Sequence, residues 1–169
     1  MHRRQLLVVP ALALAAPALA QPAWPVRPVR VVVPYPAGQG TDIFGRRFAE
    51  FYARQFGQPF VVENRAGASG SVGAAFVART EPDGYTLLWG TSATHTANEF
   101  LFPSIGYDPV RDFEPVAGIL RLGMVAITGP GAEHRDLAAL VRARPGRTAI
   151  GVPCTPARAV VEMLRRAAG

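Results

Sequence analysis

The stretch VVVPYPAGQGTDIFGRR, residues 31–47, joins a strand pattern to a helix pattern through a short turn. Its run of β-branched residues has no polar alternation, which is typical of a strand buried in a parallel sheet. Gly38 and Gly40 allow the backbone to approach a ligand closely, and Thr41 or Asp42 is suited to cap the helix. The stretch therefore predicts a strand–turn–helix unit whose turn is able to hold an anion.

The same alternation continues to about residue 102. Strands are predicted at 26–35, 60–64 and 85–92, and helices at 42–57 and 70–84, with a helical turn at 93–102. Gly57 and the Pro-Asp-Gly turn ending at Gly84 close the two helices. Three strands separated by two helical crossovers predict a βαβαβ lobe with a parallel sheet, so the expected fold class is α/β.

A second series of patterns follows Pro109. It contains two extended stretches, a helix, a strand and a last helix that begins with Thr155 as its cap and Pro156 as its first residue. The expected positions are Glu114–Leu120, Met124–Thr128, 136–146, 148–153 and 155–169. We expect residues 21–108 to form a first lobe and 109–169 to begin a second.

Residues 1–20 have the features of a secretory signal. Two arginines precede an apolar run, and Ala18-Leu19-Ala20 forms an A-x-A cleavage site. The run is shorter than a membrane span needs and is broken by prolines. Cleavage after Ala20 would release a soluble chain into the periplasm.

The composition excludes several classes of function. The 18 basic residues are scattered arginines without a basic block, so nucleic-acid binding is not expected. The single cysteine, Cys154, precludes an internal disulfide and is expected to be a small buried residue. Glu133, His134 and Asp136 are too sparse for a metal site, and Ile43 replaces the third glycine of a dinucleotide fingerprint, so no cofactor is expected.

A nucleophile at Ser69 is a further alternative. Ser69 follows a strand and precedes a helix, but Ser71 stands where G-x-S-x-G requires glycine. His95 and His134 have no sequence-level reason to lie beside it. No catalytic residue is therefore expected, although an exported hydrolase using Ser69 remains the outside alternative.

Three turns are predicted to meet at one edge of the sheet. The strand ending at Asn64 leads into a turn with Ser69 and Gly70, and the strand ending near residue 90 leads into Thr91 and Ser92. Parallel strands deliver their carboxyl ends to the same edge, where free amides and hydroxyls receive a carboxylate without an arginine. Each turn taken alone also fits an ordinary βα connection.

Several motifs resemble a known family. WPVRPVRVVVPYPAGQGTD, FGQPFVVENRAGASGSVGAAFVA and PDGYTLLWGT occur in order, followed by YDPVRDFEPVAGI and a weaker RPGRTAIGVPCTPARAVVEML. They resemble the periplasmic solute-binding proteins of tripartite tricarboxylate transporters, the TctC or Bug (Bordetella uptake gene) family. The resemblance implies a periplasmic binding protein type II (Venus-flytrap) fold. It further implies capture of a small carboxylated solute and its delivery to membrane permease subunits.

The resemblance also implies ligand-binding positions. Three turns and the start of the last helix carry them: Pro36, Ala37, Gly38, Thr41 and Asp42; Ser69 and Gly70; Thr91 and Ser92; Thr155. Two departures from the family pattern matter. Cys154-Thr155 and Arg158-Ala159 replace a glycine-serine turn and a histidine-leucine pair, and the chain is about half the family's usual length, which predicts a truncated form with an incomplete second lobe.

An incomplete second lobe would leave a bound carboxylate facing water, where each hydrogen bond contributes only about 0.5–1.5 kcal/mol. We therefore expect weak or no ligand affinity for this chain and a tendency to self-associate through Val160, Val161, Met163 and Leu164. Two alternatives stay open. The chain could be a sensor module that reports to a membrane signalling protein, or a non-functional relic.

Overall fold

The computed structural model describes residues 24–121, 123, 125–133, 136–142, 149–152 and 154–167. The predicted signal segment and His134 lie outside the described residues. The regular helices and strands are, in chain order, β1 (Val29–Val33), α1 (Gly40–Phe56), β2 (Phe60–Asn64), α2 (Ser71–Ala78), β3 (Thr86–Leu88), α3 (Asn98–Leu101), α4 (Leu137–Val141) and α5 (Thr155–Ala167).

The three strands form one parallel sheet in the order β2-β1-β3. In the central strand, Val31 lies opposite Val62 of β2 and Leu87 of β3. The four valines of β1 are no more than 1 % exposed, because other elements cover both faces of this strand. The predicted α/β class and the βαβαβ parallel lobe are confirmed.

Helix α1 packs on the sheet through small residues. Its buried residues are Asp42, Gly45 and Ala49, and a Cβ on Gly45 would lie 2.9 Å from Cγ2 of Val33. The helix ends as predicted at Gly57, whose φ of +69° suits glycine. Phe48 and Tyr52 are half-buried. Four other large apolar side chains of the helix are more exposed, at 41–53 %: Ile43, Phe44, Phe51 and Phe56.

Both tryptophans of the chain belong to this α/β unit. The ring of Trp24 packs edge-on against Phe56 and Phe60, with centroids 5.4 and 6.2 Å apart. The ring of Trp89 packs against Phe48 with centroids 5.1 Å apart. Indole fluorescence therefore reports on the packing of α1 and the sheet.

The stretches predicted as strands beyond Phe113 do not form strands in the part of the chain described. Residues 114–120, 125–128 and 149–152 are exposed and belong to no sheet, so these predictions were wrong for the described residues. Met124, Thr148 and Pro153 of the same stretches lie outside them. A strand needs a neighbour to satisfy its backbone hydrogen bonds, and none of the described strands runs beside these segments.

The two helices of this region are present, with differences in detail. Helix α4 begins after Asp136, whose Oδ1 accepts a hydrogen bond from Ala139 N at 2.6 Å. Helix α5 begins one residue earlier than predicted, since the first helical bond runs from Arg158 N to Cys154 O. Thr155 is therefore in the first turn rather than at the cap, and its hydroxyl is used elsewhere.

The predicted exposed face of α5 is only partly exposed. Val160 and Met163 are 42 % and 70 % exposed, whereas Val161 and Leu164 are half-buried. Cys154 is also half-buried rather than buried. The boundary between two lobes near residue 108 remains a prediction.

Candidate functional site

The first turn is held in place by the carboxylate of Asp42. Its Oδ2 accepts hydrogen bonds from Arg46 Nε at 3.0 Å and Gly38 N at 2.9 Å. Its Oδ1 accepts one from Asn64 Nδ2 at 2.8 Å, and the side chain is 3 % exposed. The hydrogen bond from Arg46, then those from Gly38 and Asn64, lower the pKa of Asp42 to about 2. With its oxygens occupied in this way, Asp42 orders the turn.

The second turn is strained. Ala68 and Ser69 have φ angles of +44° and +52°, and Gly70 follows at +95°. Non-glycine residues in this region are destabilised by about 1–3 kcal/mol each and persist only where neighbours hold them. The carbonyl of Ser69 accepts hydrogen bonds from Asn98 Nδ2 at 3.1 Å and from the Tyr35 hydroxyl at 3.4 Å. These two side chains maintain the strained conformation.

The third turn is connected to the second through Tyr35. The Tyr35 hydroxyl lies 2.8 Å from Thr91 Oγ1 while also reaching the carbonyl of Ser69. Within the turn, Thr91 N donates to Thr94 Oγ1 at 2.9 Å. Burial raises the pKa of Tyr35, so the phenol stays protonated at physiological pH. One hydroxyl thus joins the ends of β1, β2 and β3.

Asn98 connects the second turn to helix α5. Its side chain is fully buried, and Nδ2 donates to Ser71 Oγ at 2.9 Å as well as to the Ser69 carbonyl. Its Oδ1 accepts a hydrogen bond from Thr155 Oγ1 at 2.8 Å. Thr155 is itself 4 % exposed. The start of α5 is therefore fixed against the α/β unit by a buried polar contact.

A small cavity lies where the second turn meets α5. Its volume is about 190 Å³. It brings together two of the predicted site residues, Ser69 and Thr155. The lining residues are Ser69, Leu101, Phe102, Val152, Cys154, Thr155 and Arg158.

The remaining predicted site residues do not line this cavity. Pro36 and Ala37 are exposed in the first turn, which closes through a 3.4 Å hydrogen bond from Gln39 N to Pro36 O. Thr41 is half-buried, and Ser92 is exposed just before a π-helical turn, Ala93–Ala97. The structure links Ser69, Gly70, Thr91 and Thr155 into one hydrogen-bonded and packed cluster, with the other positions at its margin.

Sequence reasoning missed the side chains that connect the turns. Tyr35, Asn64 and Asn98 carry these links, and each is a polar residue at the end of a predicted strand or inside a small-residue helical turn. That position is the signal in the sequence. Which partners the side chains reach depends on the packed fold.

His95 is not positioned as a base for Ser69. Its ring packs on Phe113 with centroids 4.8 Å apart, and Nδ1 lies 2.9 Å from Thr94 Oγ1. Burial lowers its pKa, which favours the neutral imidazole. The described hydrogen bonds of His95 do not include Ser69.

A larger groove of about 510 Å³ runs between α2 and the loop near Gly106. None of the predicted site residues lines it. Its two arginines are engaged within the protein: Arg65 Nε pairs with Glu63 Oε1 at 2.5 Å, and Arg79 Nη2 donates to Gly106 O at 3.4 Å. The groove is therefore separate from the candidate site.

Among the described residues, none of the helices combines the length and hydropathy needed to cross a bilayer. The same residues contain no cluster of three or more histidine, cysteine or acidic side chains arranged to bind a metal ion.

A family model described as "tripartite tricarboxylate transporter family receptor" matches residues 44–169. The chain belongs to this family. Protein BugT of Bordetella pertussis is 36 % identical over 160 residues, covering 90 % of this chain and 49 % of BugT. A UPF0065 protein of Bordetella bronchiseptica is 35 % identical over 139 residues, covering 82 % of this chain and 42 % of that protein. The chain thus spans about half the length of these receptor-family relatives.

Solved structures agree with the family. MatC from Rhodopseudomonas palustris with bound malate is 45 % identical and has a TM-score of 0.53, over 55 % of this chain and 32 % of MatC. A second R. palustris protein, solved with adipate, is 42 % identical with a TM-score of 0.50, over 51 % of this chain and 29 % of that protein. The periplasmic binding protein BugD is 42 % identical with a TM-score of 0.50, over 54 % of this chain and 30 % of BugD. The resemblance read from the sequence motifs is confirmed, as is the likeness in fold to periplasmic binding proteins.

Proposed function

We propose that this receptor-family protein is the periplasmic solute-binding component of a tripartite tricarboxylate transporter and captures a small carboxylated organic solute. The supporting observation is the cluster of three βα turns joined by the Tyr35 hydroxyl, beside the cavity lined by Ser69 and Thr155. Relatives solved with malate and adipate support the same class of ligand. Permease subunits in the membrane are the proposed partners.

In this proposal, the hydroxyls of Ser69 and Ser92 and other amides of the turns receive the solute's carboxylate. The amides of Gly38, Gly70 and Thr91 already donate within the chain, to Asp42 Oδ2, Gly67 O and Thr94 Oγ1. Each of these hydrogen bonds contributes about 0.5–1.5 kcal/mol where the carboxylate still faces water, and neutral donors are able to supply them. Asp42 acts by positioning the first turn, because its own charge would repel an anion. The proposed ligand-binding set is Pro36, Ala37, Gly38, Thr41, Ser69, Gly70, Thr91, Ser92 and Thr155, with Asp42 as the residue that positions the first turn.

Ligand-observed NMR on the full chain tests the proposal, since saturation transfer detects weak binding. Malate and adipate are expected to receive saturation from the protein. Ser69→Asn should reduce the transfer, because asparagine tolerates the left-handed backbone but extends into the cavity. Ser104→Asn is the matched control, at a residue that lines only the larger groove. Of the two outcomes expected from the sequence, weak or no affinity, the proposed capture requires weak binding, so failure of both acids to bind the unaltered chain would reject the proposal.

Transport is tested separately in cells. Deleting the gene should abolish uptake of the bound acid, and restoring it should recover uptake. Retained uptake in a strain that lacks the protein, together with binding in vitro, would favour the sensor alternative over the transport component.

A further inference from the structure

The cavity beside the second turn has one charged wall. Leu101, Phe102 and Val152 contribute apolar surface and Ser69 contributes a polar group. Arg158 is the sole charged residue among the described residues of the lining. The resemblance in sequence left open whether Arg158 faces solvent or the site. In the structure Arg158 contributes to the cavity lining and is also exposed to solvent.

The position of Arg158 follows from the buried contact of Thr155. Residues three apart on a helix share a face, so Arg158 lies one turn beyond Thr155 on the same side of α5. The Thr155 hydroxyl donates to the buried Asn98 and so fixes that side of the helix towards the Ser69 turn. Arg158 is thus directed at the cavity by packing of the α/β unit.

Arg158 has no ion-pair partner among the described residues. Glu162 is one turn away, at a spacing that favours a pair with Arg158. Both oxygens of Glu162 instead accept from Arg165, at 2.8 and 2.9 Å, and Oε1 also accepts from Arg166 at 3.1 Å. The Arg158 guanidinium, with five donors in a planar fork, is available for a carboxylate from outside the chain.

We propose that Arg158 is a specificity-determining residue that binds the second carboxylate of a linear dicarboxylate. This inference rests on the proposed function, in which the turn at Ser69 and Gly70 holds the first carboxylate. The apolar wall suits the hydrocarbon segment between the two charges. A volume of about 190 Å³ corresponds to roughly six water volumes, which suits a short-chain acid.

A matched pair of ligands separates the second carboxylate from chain length. Adipate and hexanoate share a six-carbon chain and differ in one carboxylate. Dissociation constants are measured by NMR titration of the full chain, at low and at raised salt. Arg158→Gln removes the charge, Arg158→Lys keeps it, and Arg142→Gln removes an exposed arginine that does not line the cavity.

The expected result is tighter binding of adipate than of hexanoate, with a preference that weakens as salt rises. Arg158→Gln should weaken adipate roughly two- to fivefold and leave hexanoate unchanged, as for an ion pair at a partly exposed site. Arg158→Lys should retain most of the preference, and Arg142→Gln all of it.

Two other results are distinguishable. An adipate preference that survives intact in Arg158→Gln would overturn the role of Arg158 while leaving carboxylate capture in place. Absence of binding by both acids to the unaltered chain would reject the proposed function and this inference together.

Discussion

Residues 24–113 and 114–167 carry similar sequence patterns for strands and helices. Among the described residues, however, only the first region contains buried apolar side chains. In the first, β1 is covered on both faces, and the polar side chains of Asp42 and Asn98 are fully hydrogen-bonded. In the second, Thr155 is the single buried residue among those described. A local pattern therefore specifies an element, but burial requires a second element to receive its apolar face.

The largest effect is expected from removing the Asp42 carboxylate. Asp42→Ala leaves Gly38 N without its acceptor and removes one of the two acceptors of Asn64 Nδ2, so the free energy of unfolding should fall by about 2–4 kcal/mol. Urea unfolding followed by tryptophan fluorescence measures it, because Trp24 and Trp89 both lie in the first region. Glu50→Ala removes a carboxylate from an exposed ion pair and should change stability by less than about 0.5 kcal/mol. Equal losses of stability in Asp42→Ala and Glu50→Ala would contradict the structural role of the Asp42 carboxylate.

The lowered pKa of the Asp42 carboxylate predicts that the stability of the protein depends on pH. Its pKa is lowered to about 2 in the folded protein, below the unfolded value near 3.8. Its contribution is therefore complete above about pH 4–5 and is lost as the pH falls towards 2. Asp42→Asn should flatten this part of the profile in urea titrations at successive pH values. A profile identical to that of the unaltered chain would contradict the assignment.

Gly73 tests the packing of α2 on the first region. A Cβ at Gly73 would lie 2.8 Å from Arg65 O and 2.9 Å from Pro34 Cα, both backbone atoms. Gly73→Ala should destabilise by about 1–3 kcal/mol in the same fluorescence assay. Gly118 has nothing within 4 Å of a built Cβ, so Gly118→Ala should have almost no effect. A neutral Gly73→Ala would indicate that α2 and Pro34 separate readily.

Thr155 tests a buried hydrogen bond between the two regions. Thr155→Val keeps the shape of the side chain but leaves Asn98 Oδ1 without its donor. The docking of α5 onto the first region should therefore be weakened by about 1–3 kcal/mol. Hydrogen exchange should speed up in α5 while β1 keeps its protection. Thr128→Val, at an exposed residue, is the control. Unchanged exchange in α5 would show that other contacts hold the helix.

The smallest effect on stability is expected at exposed apolar residues of the second region. Val125 and Ile127 are 84 % and 87 % exposed, so replacing both with serine should change the unfolding free energy by less than about 0.5 kcal/mol. Self-association, measured by sedimentation velocity, should decrease because exposed apolar surface promotes it. Val31→Ala, at a residue 1 % exposed, should by contrast lower stability by about 2 kcal/mol.

The sequence predicted what local pattern and parallel topology determine. The strand and helix order from Val29 to Ala78 follows from periodicity and from Gly57, and the meeting of three turns follows from the common edge of parallel strands. Tyr35 contacts Thr91, which lies 56 positions further along the chain, and Asn98 contacts Thr155, which lies 57 positions further along. Their partners depend on side-chain directions in the packed fold, which periodicity does not specify.

The strands that were predicted after Phe113 but do not form among the described residues have a related cause. Their apolar residues satisfy the local rule for a strand, but the described residues offer no neighbouring strand. Likewise, the burial of Gly45 and Ala49 in place of larger residues of α1 follows from how closely the helix approaches Val33. Distances of this kind are properties of the assembled layers.

The hydroxyl shared by two turns also constrains how the sequence diverges. When the Tyr35 hydroxyl donates to the Ser69 carbonyl, Thr91 Oγ1 donates to Tyr35 in turn, so a change to phenylalanine removes the acceptor of the threonine hydroxyl. A homologue that loses the hydroxyl at position 35 is therefore expected to carry an apolar residue at position 91. The two sites should be inherited as a pair, although 55 residues separate them in the chain.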